Sequence, residues 1–381
     1  MRFLQSAKGE VQISCIGMGT IGAGDRSGAT ESSIIQRLAT LEYGLDRGVN
    51  LIDCGEDYEG GFAEQVLGRL LEHHRNRIFL ATKFSPANSS SKRLRKSLEG
   101  SLRRLKTDRI DLYQLHWPNA AVPLAETMET LRLLQNEGKI RFIGMGNCSF
   151  HMVRQAEHFL DGEQILTNQV KLNLVNNPIF TEPTYFDDCA THTLLTLAYG
   201  IMGQGNLQIP KQAKSFAEEL CLERNITRSQ LFIIWALSHA NTGVLIRSMN
   251  YEHIDENLSV AEMMLSASDR DRLTTMFSSC RRLVPVNCIQ VVSRDPDPSH
   301  PIYTSLKEAL DNRYGICPSV EMLASQIADG EPFRPVELLE VGKMDGAPFY
   351  ELIQGRMRYW AWIYLHGTEG VVPAVILGST L

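Results

Sequence analysis

The sequence predicts an α/β fold, a (β/α)8 TIM barrel, followed by a small α+β domain. Three observations predict it. Short apolar runs recur eight times between residues 13 and 246, and amphipathic stretches with helical spacing separate most of them. Polar, titratable side chains stand at the ends of successive runs, where a barrel gathers them on one face. After about residue 282 the chain becomes rich in proline and its rhythm changes.

The apolar runs cover residues 13–17, 51–54, 78–82, 110–115, 142–145, 166–170, 194–198 and 244–246. Residues 64–71 and 94–105 carry apolar positions three and four apart, as a helix face packed on a sheet requires. The stretch 227–240 opens with Thr-Arg-Ser-Gln, which suits a helix start. An open doubly wound sheet yields the same alternation. Gly17-Met-Gly19-Thr-Ile-Gly22 has the spacing of its phosphate fingerprint, but those glycines serve a barrel's strand-to-loop turn equally well.

Residues 1–280 form the expected barrel and 283–381 the second domain, with the boundary near residues 278–283. The second domain reads as a strand at 288–292, a helix at 320–328, and a hairpin of strands 336–341 and 349–354. A helix over 358–366 and a last strand at 372–377 follow.

Composition narrows the function. With 43% apolar and 22% charged residues the chain is an ordinary globular protein, and its net charge of −6 favours neither nucleic acid nor an anionic membrane as partner. No apolar stretch approaches the roughly 20 residues a membrane span needs. The first residues lack the apolar core of a signal peptide, so a cytoplasmic location is expected. The eight cysteines include no C-x-x-C pair, and no His/Cys cluster has zinc spacing, so no metal is expected.

Asp53, Tyr58, Lys83 and His116 are the candidate catalytic residues. A phenol of pKa ~10 is a weak acid at neutral pH, and a neighbouring ammonium lowers that value. Lys83 is expected to act so on Tyr58, with Asp53 holding Lys83, and His116 to orient a substrate oxygen. Such a set suits proton donation to a carbonyl oxygen while a cofactor delivers hydride to its carbon. Cys54, beside Asp53, reads as a packed thiol. Trp117 follows His116 and either walls a substrate pocket or covers the barrel rim.

Residues 14–264 resemble the aldo-keto reductases. Asn50-Leu-Ile-Asp-Cys-Gly-Glu-Asp-Tyr58 with Glu64 and Gly68, the long run Ser97–His116, and Gly138-Lys-Ile-Arg-Phe-Ile-Gly-Met-Gly-Asn147 are similar to that family's ordered signatures. The resemblance implies Tyr58 as proton donor, Lys83 and Asp53 as its tuning pair and His116 as the orienting residue. It implies that Asn147 and Gln169 grip a nicotinamide amide and that Tyr199 stacks on the ring. Gly19 and Thr20, and Gly200, Met202 and Gly205, fall at cofactor-facing loops. Arg247, Ser248 and His253 lie where a 2′-phosphate is received, and Glu256 and Asn257 where adenine is contacted. The family pattern is departed from at three places: Gly146 stands for a serine, Gly200-Ile-Met202 for S-P-L, and His253 for an arginine. NADPH is the favoured cofactor and NADH the alternative.

Residues 286–377 resemble the ParB/sulfiredoxin-like fold through Leu323-Ala-Ser-Gln-Ile-Ala-Asp-Gly330, Arg334-Pro-Val-Glu-Leu338 and the stretch from Tyr350 to Ala361. That fold's D-G-x-H-R box reads Gln354-Gly-Arg-Met-Arg358 here, so Gly355, Arg356 and Arg358 remain to receive phosphate while its histidine is replaced by Met357. DNA is not expected, because residues 282–381 hold 8 Lys/Arg against 12 Asp/Glu. A kinase activity with Glu331 as base stays open, as does packing or homo-oligomerisation.

The expectation is an NAD(P)H-dependent reductase of a small-molecule carbonyl, an aldehyde, ketone, keto-sugar or phosphorylated or nucleotide-linked compound. The second domain would serve as a lid or a substrate-recognition element, with Arg356 and Arg358 contributing. The alternative is a redox sensor that holds a nicotinamide cofactor in the barrel and engages a partner or nucleotide through the second domain.

Overall fold

Polar groups at residues 14 and 50 decide where the barrel begins. Ser14 N donates to Asn50 Oδ1 at 2.7 Å, and Asn50 N donates back to Ser14 Oγ at 3.1 Å. These bonds break the apolar run 13–17, so its two ends do different work. β1 (Phe3–Gln5) and β2 (Gln12–Ser14) form an antiparallel hairpin outside the barrel, and the first barrel strand is instead β3 (Ile16–Gly19). The computed structural model describes residues 1–5, 9, 11–20, 30–119, 121–174, 182–203, 211–278, 281–292, 302–316, 318–328, 333–344 and 346–379. Gly205 and Glu331, named above as candidates, lie outside them.

From β3 the chain alternates. It runs through α1 (Glu31–Asp46), β4 (Leu51–Asp53), α2 (Phe62–His74), β5 (Phe79–Phe84) and α3 (Ser91–Leu105). β6 (Ile110–Leu115), α4 (Leu124–Asn136), β7 (Ile140–Gly146) and α5 (Phe150–His158) follow. Then come β8 (Thr167–Lys171), α6 (Tyr185–Thr191), β9 (Leu195–Tyr199), α7 (Lys211–Arg224) and α8 (Arg228–Leu237). β10 (Thr242–Ile246) pairs with both β9 and β3, so eight parallel strands close into a ring in chain order. α9 (Tyr251–Ser259) and α10 (Ala267–Ser278) complete the outer layer. Thr227 and Gln230 cap α8 reciprocally, the start its sequence announces.

Two motif residues that do no chemistry fix α2 against α3. Glu64, fully buried, accepts from Thr82 Oγ1 at 2.6 Å and from Arg104 Nε at 2.7 Å. A Cβ on Gly68 would stand 2.4 Å from the Arg104 carbonyl oxygen, so only glycine lets the helices approach this closely.

The remaining chain builds a five-stranded sheet of order β11-β15-β13-β14-β12. Its elements are β11 (Arg281–Pro285), β12 (Ile289–Gln290), α11 (Leu306–Asp311), α12 (Val320–Ala328), β13 (Val336–Met344), β14 (Ala347–Gln354), α13 (Arg356–His366) and β15 (Val371–Ser379). β11 and α11 go beyond the sequence reading, and the strand expected over 288–292 shrinks to Ile289–Gln290. β11 carries Pro285 and lies at the sheet edge, the place where a strand tolerates proline. The helices and sheet enclose their own apolar cluster, including Val336, Leu338, Leu352, Tyr359 and Trp360. Val375 on β15 packs instead into the barrel's cluster. Among the described residues no helix is long and apolar enough to cross a membrane.

Candidate active site

Parallel closure carries the C-terminal ends of β4, β5 and β6 to one mouth, and Asp53, Lys83 and His116 arrive there with Tyr58 from the turn after β4. Lys83 Nζ donates to Asp53 Oδ1 at 2.7 Å and Oδ2 at 2.8 Å, to the Cys54 carbonyl at 2.7 Å, and to the Tyr58 hydroxyl at 3.1 Å. The His116 ring meets the Tyr58 ring edge-on, with centroids 5.7 Å apart. His116 Nδ1 stands 3.5 Å from Asp57 Oδ2. Trp117, exposed, stacks on His116 at 5.5 Å.

The electrostatics correct one expectation. Burial pushes Tyr58 up to about 12, and the nearby Lys83 charge, which lowers it, does not overcome that. The Asp53 carboxylate adds to the rise. Burial opposes the charge on Lys83, but Asp53 and Tyr58 outweigh it and its net direction is upward. The phenol is therefore held protonated and the ammonium charged. Burial also raises the Cys54 thiol, so it is a packed, inert group.

A buried chain of amides ties this quartet to the next strands. Thr167 Oγ1 donates to Gln114 Oε1 at 3.0 Å, Gln114 Nε2 to Gln169 Oε1 at 2.9 Å, and Gln169 Nε2 reaches Asp53 Oδ2 at 3.4 Å. Asn147, at a left-handed φ of 58°, donates from its backbone N to the Gln169 carbonyl at 2.8 Å. Its Oδ1 accepts from the Tyr199 hydroxyl at 3.0 Å. Asn147, Gln169 and Tyr199 thus form one patch beside the quartet, with polar amides and a ring that fit a nicotinamide. Gly146 has a packing cause, since a Cβ there would stand 2.4 Å from the His116 carbonyl oxygen and 2.7 Å from that of Leu115. No serine fits.

The other candidates are more dispersed. Thr20 donates from N and Oγ1 to the Asp53 carbonyl, at 2.9 and 3.1 Å, and joins β3 to β4 beside Gly19. Gly200 takes a φ of 71° as the chain leaves β9, and Met202 packs on the barrel core. Arg247 and His253 are exposed, Ser248 closes a turn with Asn250, and Asn257 is half-buried on α9. Glu256 is held by Thr227 Oγ1 at 2.6 Å, so its carboxylate serves a helix cap.

The sequence gives no site role to Arg334, Lys171 or Glu337, which join the two parts. Arg334 Nη1 donates to Asn147 Oδ1 at 3.0 Å and its Nη2 to the Asn147 carbonyl. Lys171, ending β8, donates to Glu337 and Gln354 of the second sheet. Arg358 Nη1 holds the Arg334 carbonyl at 3.0 Å. Arg356 forms no recorded bond with the barrel among the described residues, and its charge faces Glu351. The signal available was Lys171, a cation two residues past Gln169 at a strand end.

The sequence model of the Aldo/keto reductase family matches residues 15–276. The chain belongs to that family. As an aldo/keto reductase it resembles a methylglyoxal reductase, YeaE, of Escherichia coli, with 30% identity over 262 residues that span 68% of this chain and 90% of the relative. An aldo/keto reductase from Klebsiella pneumoniae solved with NADPH superposes with a TM-score of 0.64 at 29% identity, over 72% of this chain and 94% of the other. A thermostable aldo-keto reductase bound to the inhibitor epalrestat gives a TM-score of 0.67 at 27% identity, over 72% of this chain and all (100%) of the other. The family match ends before β11, so the second sheet lies beyond it.

Proposed function

We propose that this aldo/keto reductase uses NADPH to reduce a small aldehyde or ketone, with Tyr58 as the proton donor. The observation that carries the reading is the Lys83 ammonium placed 3.1 Å from a half-buried, protonated Tyr58 hydroxyl and locked there by Asp53. The solved relatives that hold NADP or NADPH support the cofactor. When bound, NADPH supplies the hydride. Asn147 and Gln169 would orient its amide and Tyr199 its ring, while Arg247 and Ser248 would receive the 2′-phosphate. His116 positions the carbonyl oxygen toward Tyr58. As charge builds on that oxygen, Tyr58 gives up its proton and Lys83 stabilises the phenolate left behind. Relatives named methylglyoxal reductases support a compact dicarbonyl as one substrate.

The second domain acts as a lid in this reading. Its support is the polar clasp of Lys171 with Glu337 and Gln354 at the barrel mouth. The ParB/sulfiredoxin-like identity of that domain rests on its motifs and on Gly355, whose φ of 92° turns β14 into α13.

Stopped-flow oxidation of bound NADPH by methylglyoxal, keto-sugars and phosphorylated aldehydes tests the function. Rapid turnover of at least one compound is expected. A protein that binds NADPH yet oxidises it with none of them would be a redox sensor instead.

A further inference from the structure

Three cations from two parts of the chain converge on the end of β9. Lys171 is neutralised by Glu337, with both side chains largely buried. Among the described residues neither Arg334 nor Arg358 forms an ion pair. Each is half-buried, and among the described residues neither has a carboxylate within 4.0 Å. Their recorded bonds go to neutral oxygens only: Asn147 Oδ1 and carbonyl for Arg334, and the Arg334 carbonyl for Arg358. Burial and the neighbouring Arg334 push Arg358 down to about 10, against the pull of Glu337. The charges of Arg334, Arg358 and Lys83 all act on the Tyr199 hydroxyl, so the pair shares its surroundings with the catalytic lysine.

Two partly desolvated guanidiniums with no carboxylate within 4.0 Å among the described residues are costly, and the arrangement is relieved when an anion joins them. The guanidinium fork matches the oxygens of a carboxylate or phosphate, which bind more strongly than the amide and carbonyl oxygens that Arg334 now holds. The chain as a whole is acidic, with a net charge of −6, so this local excess is built rather than inherited. Gly355, at a left-handed φ of 92°, makes the turn that starts α13 and so sets where Arg358 stands.

We propose that Arg334 and Arg358 form an anion site, through which the second domain receives a carboxylate or phosphate group of a molecule bound in the barrel mouth. The proposal rests on the reductase reading for what that molecule does. The anion exchanges with Asn147 for the Arg334 fork, which frees the Asn147 side chain for the cofactor amide. Two sources share this chemistry, an anionic carbonyl substrate and the phosphates of the cofactor.

The test uses the full chain and its Arg334→Met and Arg358→Met variants. Steady-state rates are measured for 4-carboxybenzaldehyde against its neutral methyl ester, and for glyceraldehyde 3-phosphate against glyceraldehyde. The Kd of NADPH is measured by fluorescence. If the substrate supplies the anion, the wild type prefers the charged member of each pair, and both variants lower that ratio of kcat/KM by about tenfold or more. If the cofactor supplies it, both variants weaken NADPH binding by about tenfold or more and leave the ratio unchanged. Unchanged ratio and unchanged Kd in both variants overturn the proposal. So does tighter NADPH binding by Arg334→Met with a uniform gain on all four carbonyls, which would make Arg334 a plug in the nicotinamide site. A wild type that reduces none of the four defeats the reductase reading, and the NADPH measurement then decides the anion site alone.

Discussion

Lys83 Nζ stands 3.1 Å from the Tyr58 hydroxyl, and the same ammonium grips both oxygens of Asp53. The cation therefore cannot rotate away from the phenol without abandoning a buried carboxylate. Removing the phenol's proton while keeping its ring isolates this function. Tyr58→Phe should retain the fold and lose about 10²–10⁴ in kcat, as expected for a positioned acid. Turnover within a few-fold of wild type would show that another group donates the proton.

Removing the cation instead exposes the structural side of the pair. Lys83→Met leaves the buried Asp53 carboxylate without its cation and should cost about 3–5 kcal/mol in unfolding free energy. Adding Asp53→Asn should recover much of that stability and none of the activity. Denaturant unfolding of the two single variants and the double variant measures the coupling. Additive losses would mean that the pair does not act as a unit.

The direction of the Tyr58 shift sets a pH profile. The acid must be protonated to work, and burial holds it near 12. Carbonyl reduction should therefore run flat from neutral pH upward and decline only in strongly alkaline solution. Alcohol oxidation, which needs the phenolate, should rise with pH across the same range. A reduction limb that falls near pH 7 would assign the proton to a different group.

Gly146 separates a packing requirement from a missing ligand. Restoring the family's serine places a Cβ 2.4 Å from the His116 carbonyl oxygen, so β6 or β7 must shift. Gly146→Ser should destabilise the fold by about 1–3 kcal/mol, the usual range for overpacking, and should not tighten NADPH binding. Thermal unfolding and fluorescence titration check both parts. Tighter binding at unchanged stability would show that the strand end has room after all.

The barrel was legible because its strands are buried and its helices amphipathic, so period alone located its eight strands, and the three helical stretches it named, to within a few residues. Residues 110–115 were read at their true limits, since β6 is buried along its whole length. Position 14 was not legible. A serine inside an apolar run looks like strand, and only its bonds to Asn50 show that the run is divided. In the candidate site, Asp53, Tyr58, Lys83 and His116 could be read because each follows an apolar run. Arg334 could not. Its partner Asn147 is 187 residues away, and nothing local marks an arginine as one that will reach another domain's mouth. The direction of the Tyr58 shift failed for a similar reason, because burial depends on everything packed around the ring.

His239 gives the fold its own acid sensitivity, apart from the site. Its ring lies stacked on Phe186 at 3.9 Å and edge-on to Trp235 at 5.2 Å, and it is buried. Burial, with the Arg270 charge, lowers it from 6.5 to about 3. The folded chain thus keeps this imidazole neutral where the unfolded chain binds a proton. Stability from this group is present above the unfolded value of 6.5 and is lost as pH falls toward 3. By pH ~5 the loss amounts to about 2 kcal/mol. His239→Phe keeps a flat ring against Phe186 and cannot be protonated. Its unfolding free energy should fall less steeply than wild type between pH ~7.5 and ~5, by about that amount. Parallel pH dependences in denaturant unfolding would show that the imidazole is already charged in the folded chain.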